Sequence, residues 1–302
     1  PLLFDSSNVM FILLALFVAI PAWLVGFSTP VFAWWSFSSS RFHMSTTRQQ
    51  GEAMLIAGML STFPALIINS LITPGTVLLL SGGQASVALV ETITVVISAP
   101  VGEELCKALA VFSLAGMIDS KKRGFQVGFT VGLGFALLEN LQYILFSLFA
   151  GEAVAVSYGF TTVIRGIGSI PGHAMWTACS GYAIGHILEQ KKHGIQIPDV
   201  KQWNLVNPLN PSGPPTMGYG SHYNQASFFA KSSNLQLPTS LPVMLGIAIL
   251  GHAFWNGSLT FISFLTSGMD PILILMVDMM WIVILITLLW TFGRFVLAAA
   301  ME

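Results

Sequence analysis

Seven apolar stretches, each long enough to cross a bilayer as a helix, constrain the fold of this chain more than any other feature. They lie near residues 7–27, 52–72, 86–118, 125–149, 163–188, 241–266 and 271–293. A transmembrane helix needs about 20 apolar residues, and only helices or closed barrels satisfy every backbone hydrogen bond in lipid. Charged residues make up 8% of the chain, against roughly 25% in soluble domains. We therefore predict an all-α fold, a polytopic transmembrane helical bundle of about seven spans.

The basic residues predict how this bundle is oriented. Seven spans place successive connections on alternating sides of the membrane, and ten of the 12 Lys and Arg residues then fall on one side. These ten are Arg41, Arg48, Lys121, Lys122, Arg123, Lys191, Lys192, Lys201, Lys231 and Arg294. Because basic residues concentrate in cytoplasmic loops, we predict that the N-terminus lies outside and the C-terminus inside, in a multi-pass protein of the cell membrane.

The chain is expected to form a single integral membrane domain over residues 1–302. Residues 189–240 are rich in Pro, Gly and Asn, which cannot continue a helix, so we predict a cytoplasmic loop there. Residues 28–51 are expected to form a second long connection, and residues 86–266 to contain the catalytic spans. A net charge of −1 offers no basic excess to neutralise phosphates, so the expected partners are the lipid bilayer and a membrane protein, and no nucleic acid.

Three ionisable side chains stand close together in the third apolar stretch. They are Glu103, Glu104 and Lys107, within the sequence PVGEELCK at residues 100–107. Ionisable groups in hydrocarbon cost several kcal/mol each and are functional candidates for that reason. Lys107 follows the two acids by four and three residues, so an internal ion pair is the simplest interpretation. Since one lysine neutralises only one carboxylate, the second acid predicts a chemical role.

Four of the predicted spans carry an acid or a histidine at similar depth. Glu104, Glu139, His173 and His252 lie about 18–24 Å from the predicted cytoplasmic ends of their spans, at 1.5 Å per residue. Independent placement would scatter them over a core about 30 Å thick, so their shared depth, slightly toward the outer half, predicts a single polar site. Asn256 follows His252 by four residues on the same helix face. Each group also has a plainer interpretation as an interhelical hydrogen-bond partner.

Two hydrolytic arrangements fit these residues. In the first, one acid of the pair on the third span acts as general base on water, while histidine and Asn256 stabilise the tetrahedral oxyanion. In the second, Glu139, His173 and His252 hold one divalent metal ion, with zinc expected, and an acid of the pair acts as base. The motifs of zincin-like, serine and aspartyl intramembrane proteases are absent from the sequence, and both arrangements stay open.

The same residues resemble the ordered motifs of the PrsW family of intramembrane proteases. The motifs are Glu103-Glu104-x-x-Lys107, Phe135-x-x-x-Glu139-Asn140, His173 in the following span, and His252-x-x-x-Asn256. They are more distantly similar to the motifs of CAAX-processing and bacteriocin-processing membrane enzymes. Two positions depart from those relatives, which have Arg near Lys107 and His in place of Glu139. The resemblance covers residues 100 to 260.

The resemblance implies an intramembrane endopeptidase, a hydrolase that cuts a membrane-associated protein such as an anti-sigma factor on its extracytoplasmic side. The catalytic residues that it implies are Glu103, Glu104, Glu139, His173, His252 and Asn256. In this interpretation one of the paired acids activates water, and Asn256 is the oxyanion partner found in the more distant relatives. The family is grouped with metalloproteases, whereas the sequence also allows a mechanism without a metal.

Two other functions would use the same residues. A proton-coupled transporter would use the layer of Glu and His residues as a relay, which proton flux in liposomes would reveal. A non-catalytic scaffold, similar to the Aph subunit of presenilin complexes, would keep intramembrane histidines without chemistry. Such a scaffold would co-purify with an obligate partner and tolerate Glu103→Gln.

Arg165 is the remaining basic residue at a predicted span, besides Lys107. It lies near the predicted outer face. We expect it to pair with Asp278 or Glu91 in a structural role.

Overall fold

The computed structural model describes residues 17–42, 44, 46–148, 154–194 and 236–301, and no strand occurs among them. We number its long continuous helices α1 to α7 in chain order. They are α1 (Phe17–Phe42), α2 (Arg48–Leu80), α3 (87–113), α4 (Lys121–Leu148), α5 (154–194), α6 (Leu241–Thr266) and α7 (Pro271–Met301). A short 3-10 turn over Ala115–Met117 precedes α4. The prediction of an all-α fold is therefore confirmed for the described part of the chain.

Five of these helices, α1, α2, α4, α6 and α7, are long and apolar enough to cross a membrane. The other two carry much of the polar chemistry. Helix α3 contains the charged residues Glu91, Glu103, Glu104 and Lys107, and the centre of α5 is rich in Gly, Ser, Thr and His. The count of seven spans and the orientation of the termini stay predictions.

The predicted connection over residues 28–51 is wrong for most of its length. Helix α1 continues to Phe42, and α2 begins at Arg48. The end of α1 is rich in serine, which is typical of loops, but serine hydroxyls can also bond to carbonyls within a helix. Ser38 does so, donating to the carbonyl of Trp35 at 2.9 Å.

The loop predicted over residues 189–240 is described only at its two ends. Helix α5 remains helical to Gly194, and residues 236–240 are non-helical before α6. Lys192 donates to the carbonyl of Ile118 at 2.9 Å, which ties the last turn of α5 to the chain before α4. The remaining residues, 195–235, lie outside the described part of the chain.

A widened turn precedes a proline in four of the helices. The π-helical segments Leu24–Ser28, Ile68–Ile72, Thr94–Ser98 and Arg165–Ser169 each end two residues before Pro30, Pro74, Pro100 or Pro171. Proline has no N–H, and its ring clashes with the carbonyl four residues earlier, so the helix widens before it. Side chains of other helices bond to three of the carbonyls in these segments, and the first of these bonds runs from Trp34 to Gly166 at 3.1 Å. Trp290 donates to Ile167 at 3.0 Å, and Asn256 donates to Val95 at 3.1 Å.

Helix α4 is the centre of the bundle. In its most apolar stretch, 67% of the residues are buried. In the corresponding stretches of the other four apolar helices, at most 22% of the residues are buried. It meets α5 through glycines, which are Gly124, Gly128 and Gly132 on α4 and Gly181 and Gly185 on α5. A Cβ at Gly128 would lie 2.5 Å from the carbonyl oxygen of Thr177, so a larger residue does not fit. Small residues hold membrane helices together through this kind of close approach.

Arg123 ties the start of α4 to the chain that enters α2. Its guanidinium donates to Gln126 at 2.6 Å, to Thr46 at 3.0 Å and to Gln50 at 3.2 Å. These partners are uncharged. Arg123 lies 16 residues before Glu139 on α4, which is about 24 Å along the helix.

Candidate active site

Four helices bring ionisable side chains together at the centre of the bundle. Helix α3 provides Glu103, Glu104 and Lys107, α4 provides Glu139, α5 provides His173, and α6 provides His252. Hydrogen bonds and ion contacts link all six residues, and five of them are fully buried while Glu139 is 11% exposed. The prediction of one polar site from their shared depth is confirmed. Their individual catalytic roles stay predictions.

Lys107 is the centre of these contacts. Its ammonium lies 2.8 Å from Glu104 Oε1 and 3.5 Å from Glu103 Oε2, as the predicted internal ion pair requires. It also lies 2.7 Å from His173 Nδ1 and 3.9 Å from the centre of the Phe135 ring. The sequence does not predict the contact with His173, which joins α3 to α5.

The contacts of His173 determine which of its ring nitrogens carries the hydrogen. Nδ1 faces the Lys107 ammonium, which can only donate, so Nδ1 is an acceptor. Nε2 lies 3.1 Å from Glu139 Oε2, and an ionised carboxylate can only accept, so Nε2 carries the hydrogen. The lone pair of His173 therefore faces α3, and Glu139 holds the ring from the other side.

His252 is held in the same way by a different acid. Its Nδ1 donates to Glu104 Oε1 at 3.1 Å, which leaves the lone pair on Nε2. Nε2 lies 3.9 Å from Glu103 Oε2. The indole of Trp176 stacks on the imidazole, with ring centres 4.8 Å apart and an interplanar angle of 11°. The ring of His252 is thus fixed in plane and in tautomer.

One oxygen of Glu103 lies near both histidines, with the Lys107 ammonium 3.5 Å away. Its Oε1 accepts from the amide of Asn69 at 3.3 Å, whereas its Oε2 is buried and accepts no hydrogen bond from any described residue. Ligand atoms of Glu103, His173 and His252 all lie within 4.8 Å of one another. Carboxylate oxygen and imidazole nitrogen are the donor types of a catalytic zinc site with an open fourth position, and Nδ1 of His173 would serve as a donor once the Lys107 ammonium, 2.7 Å away, has moved off it. These three residues therefore fit a divalent metal ion.

This group differs by one carboxylate from the metal ligands predicted from the sequence, Glu139, His173 and His252. Glu139 Oε2 accepts from Arg165 Nη2 at 2.6 Å and from His173 Nε2 at 3.1 Å. It therefore contacts the ring nitrogen of His173 that Lys107 does not contact. A carboxylate in this position orients a ligand histidine and fixes its tautomer. We place Glu139 behind His173, and Glu103 beside the two histidines.

Asn256 lies one helical turn after His252 on α6. Its amide donates to the carbonyl of Val95, in the π-helical segment that precedes the acids of α3. This bond ties α6 to α3. It gives Asn256 a structural role, and the oxyanion role implied by the resemblance stays a prediction.

Asn69 borders the site and is absent from the sequence prediction. It lies in the π-helical segment of α2, and its amide donates to Glu103 while its Oδ1 accepts from Ser98 at 3.3 Å. The sequence does contain a signal for it. Asn69 is a polar residue inside an apolar stretch, between Pro64 and Pro74.

The expected pairing of Arg165 with Asp278 or Glu91 is wrong. Arg165 pairs with Glu139 across the contact between α4 and α5. It opens the π-helical segment before Pro171, and the extra residue in that turn changes the helix face on which Arg165 lies. The position of the proline was therefore the signal in the sequence.

Comparison with known protein families agrees with this geometry. A family model described as PrsW family intramembrane metalloprotease matches residues 49–206, which is slightly more than half of the chain. The matched residues include the two acids of α3, Glu139 and His173, whereas His252 follows them in the sequence. No curated protein and no solved structure matches the chain.

Proposed function

We propose a function for this chain on the basis of its family, since it belongs to the PrsW family of intramembrane metalloproteases. The proposed function is hydrolysis of a peptide bond of a membrane-associated protein within the bilayer. It is then a multi-pass protein of the cell membrane, with its N-terminus outside and its C-terminus inside. The five apolar helices and the buried ionisable cluster support this proposal.

The observation that carries the proposal is the buried Oε2 of Glu103, next to His173 and His252, which accepts no hydrogen bond from a described residue and has the Lys107 ammonium 3.5 Å away. Leaving a polar atom unpaired in the interior costs about 1–3 kcal/mol, so such an atom in a native protein calls for a functional explanation. Nε2 of His252 lies 3.9 Å from the same oxygen, and a ring nitrogen of His173 lies within 4.8 Å of ligand atoms of both residues. This arrangement suits the activation of a water molecule for hydrolysis.

Glu103, His173 and His252 are the residues that would hold the divalent metal of the family, with zinc expected from the donor types. When bound, such a metal lowers the pKa of a coordinated water and polarises the scissile carbonyl. The protein contributes the orientation of the donors. Glu104 holds His252 through Nδ1, and Glu139 holds His173 through Nε2.

We propose that Glu104 is the general base that accepts the proton of the attacking water. Its Oε1 is occupied by Lys107 and His252, whereas its Oε2 is buried and has no partner among the residues that the structure describes. A carboxylate with a free oxygen can accept the proton from water and donate it to the leaving amine. Lys107 holds this carboxylate in place during both transfers.

The substrate that we propose is a single-span membrane protein of the anti-sigma-factor type, cut on its extracytoplasmic side. The family resemblance supports this class. The predicted depth of the site, slightly toward the outer half of the bilayer, supports this side of the membrane.

The test compares purified Glu103→Gln and Glu104→Gln variants with the wild type in liposomes. The probe is a single-span membrane protein labelled at both ends. We expect each variant to lose about 100-fold or more in cleavage rate, because each removes a carboxylate from the chemistry. Glu52→Gln is the matched control, since Glu52 is exposed on α2 and pairs only with Arg48 at the surface. Circular dichroism reports whether each variant is folded.

Undiminished cleavage by both site variants would overturn the proposal. Proton flux across the liposomes without cleavage would support the transporter instead. An obligate partner that co-purifies with an inactive chain would support the scaffold.

Elemental analysis separates the two mechanisms. We expect one equivalent of zinc in the wild type and in Glu104→Gln, and none in Glu103→Gln or in the double variant His173→Ala/His252→Ala. An active wild type without metal would remove the metal from the mechanism and leave the protease function standing, with the glutamate pair activating water directly.

A further inference from the structure

A buried arginine stands behind the histidine of α5. The side chain of Arg165 is 13% exposed, and its Nη2 lies 2.6 Å from Glu139 Oε2. Its Nε donates to Asn140 Oδ1, and its guanidinium lies 3.5 Å from the centre of the Tyr143 ring. These three partners belong to one face of α4. A planar, forked cation with this set of contacts is specific to arginine.

The partners of Arg165 are themselves fixed. Asn140 is fully buried, and its Nδ2 donates to the carbonyl of Ala136 at 2.6 Å. Its Oδ1 is therefore held toward Arg165, which directs the other edge of the guanidinium to Glu139. The position of the guanidinium is thus set by the backbone of α4.

One oxygen of Glu139 connects this arginine to the site. Oε2 accepts from both Arg165 Nη2 and His173 Nε2. Because both donors share a single oxygen, the guanidinium helps to hold in place the carboxylate oxygen that accepts from Nε2 of His173. That bond leaves Nδ1 of His173 as the acceptor, and Nδ1 accepts from the Lys107 ammonium at 2.7 Å.

We propose that Arg165 is a positioning residue, which holds Glu139 in place at Nε2 of His173 and so acts together with Lys107 at Nδ1 to fix the tautomer and the ring orientation of His173. Arg165 is bonded to Glu139 and Asn140, and Glu139 contacts the ring nitrogen of His173 that Lys107 does not contact. The inference rests on the proposed function in one respect, because Nδ1 matters for catalysis only if His173 serves the hydrolytic site. A purely structural ion pair would make burial of Glu139 tolerable without affecting the ring.

The first test observes His173 directly and requires no cleavage. Histidine labelled with nitrogen-15 is incorporated, and the ring signals of His173 are identified by their loss in His173→Ala. In the wild type we expect one tautomer, with the hydrogen on Nε2. In Arg165→Gln we expect a second set of His173 ring signals, because the carboxylate is released. An unchanged His173 spectrum in Arg165→Gln would overturn the proposal.

Arg123→Gln is the matched control for this test. It also removes a buried guanidinium from α4, but its hydrogen-bond partners are uncharged and distant from the site. It should leave the ring signals of His173 unchanged. A change as large as that in Arg165→Gln would show that the loss of any buried arginine disturbs the bundle, and would overturn the specific role.

The second test is a double-mutant cycle on cleavage. Arg165→Gln should lower kcat by about 10-fold to 100-fold with KM unchanged, the range found for residues that hold a ligand histidine. In a Glu139→Gln background the same change should have no further effect, because Arg165 acts through that carboxylate. An arginine that only stabilises the bundle would reduce kcat by the same factor in both backgrounds. That result would overturn the proposal.

Arg165→Lys provides the answer if Arg165→Gln does not fold. It retains a charge beside Glu139 but cannot bond Glu139 and Asn140 at once. We expect a smaller loss of kcat with the same change in the His173 spectrum, and wild-type values for both would contradict the role. If Glu103→Gln still cleaves while Arg165→Gln alters the spectrum, the proposed function fails and the positioning of His173 by Arg165 stands.

Discussion

Replacing Lys107 by Met tests whether a buried ammonium holds the acids of α3 together. The lysine is completely buried, and its ammonium lies 2.8 Å from Glu104 and 3.5 Å from Glu103. At an effective dielectric constant of about 20, a contact of 2.8 Å contributes about 6 kcal/mol before desolvation is counted. Desolvation of the lysine offsets part of this term, and the removal of one partner from a buried ion pair costs about 3–5 kcal/mol overall. Because Met retains an apolar stem of similar length, we expect the free energy of unfolding to fall by about 3–5 kcal/mol.

The assay is reversible unfolding by SDS in mixed micelles, followed by circular dichroism on metal-free protein, since a bound cation would also neutralise the acids. Lys191→Met, near the end of α5, is the control and should unfold as the wild type does because Lys191 is exposed. The double variant Lys107→Met/Glu104→Gln should recover at least half of the loss, since it removes the ammonium together with the charge of one acid. A Lys107→Met variant within about 1 kcal/mol of the wild type would refute the reasoning, because a buried acid pair without its cation would then cost little.

Two further changes test the helix contact and the border of the site. Gly128→Ala should lower the free energy of unfolding by about 1–3 kcal/mol in the same assay, as an overpacked contact does, because its Cβ would lie 2.5 Å from the carbonyl of Thr177. Gly246→Ala is its control, since nothing lies within 4 Å of that Cβ, and equal behaviour of the two variants would show that α4 and α5 are not in backbone contact. Asn69→Leu should reduce the cleavage rate roughly 10-fold, because Glu103 loses a hydrogen-bond donor worth about 1.5–3 kcal/mol. Wild-type cleavage by Asn69→Leu would show that Glu103 is held by other contacts.

The helices of this fold are predictable because an apolar run of about 20 residues is a length signal that needs no knowledge of tertiary contacts. The end of α1 is less predictable, since the serines before Phe42 have the composition of a loop and become helical through bonds such as that of Ser38. The four π-helical segments are predictable from the prolines, because each segment ends two residues before one. The sequence does not show which side chains bond to their carbonyls, because Trp290 and Asn256 come from distant helices.

The members of the site are predictable for a different reason, which is that ionisable residues in apolar spans are few and costly. Their pairing is not predictable from depth. Glu103 and Glu139 lie in the same layer, and only the rotation of α3 and α4 about their axes decides which carboxylate adjoins both histidines. The contact of Lys107 with His173 and that of Arg165 with Glu139 depend on the same rotations, so only the folded chain reveals them.

The two sides of the site are held together by different kinds of contact, and the glycine contact between α4 and α5 is the tighter one. The two backbones meet at Gly128 with no side chain between them, so Glu139 and His173 behave as parts of one rigid block. The opposite wall, made by α3 and α6, is joined there by side-chain bonds such as that between His252 and Glu104. A movement that parted α3 from α6 would therefore also break the bond that holds the His252 ring. Access to the site from this side and the orientation of one of its histidines would then depend on the same contact.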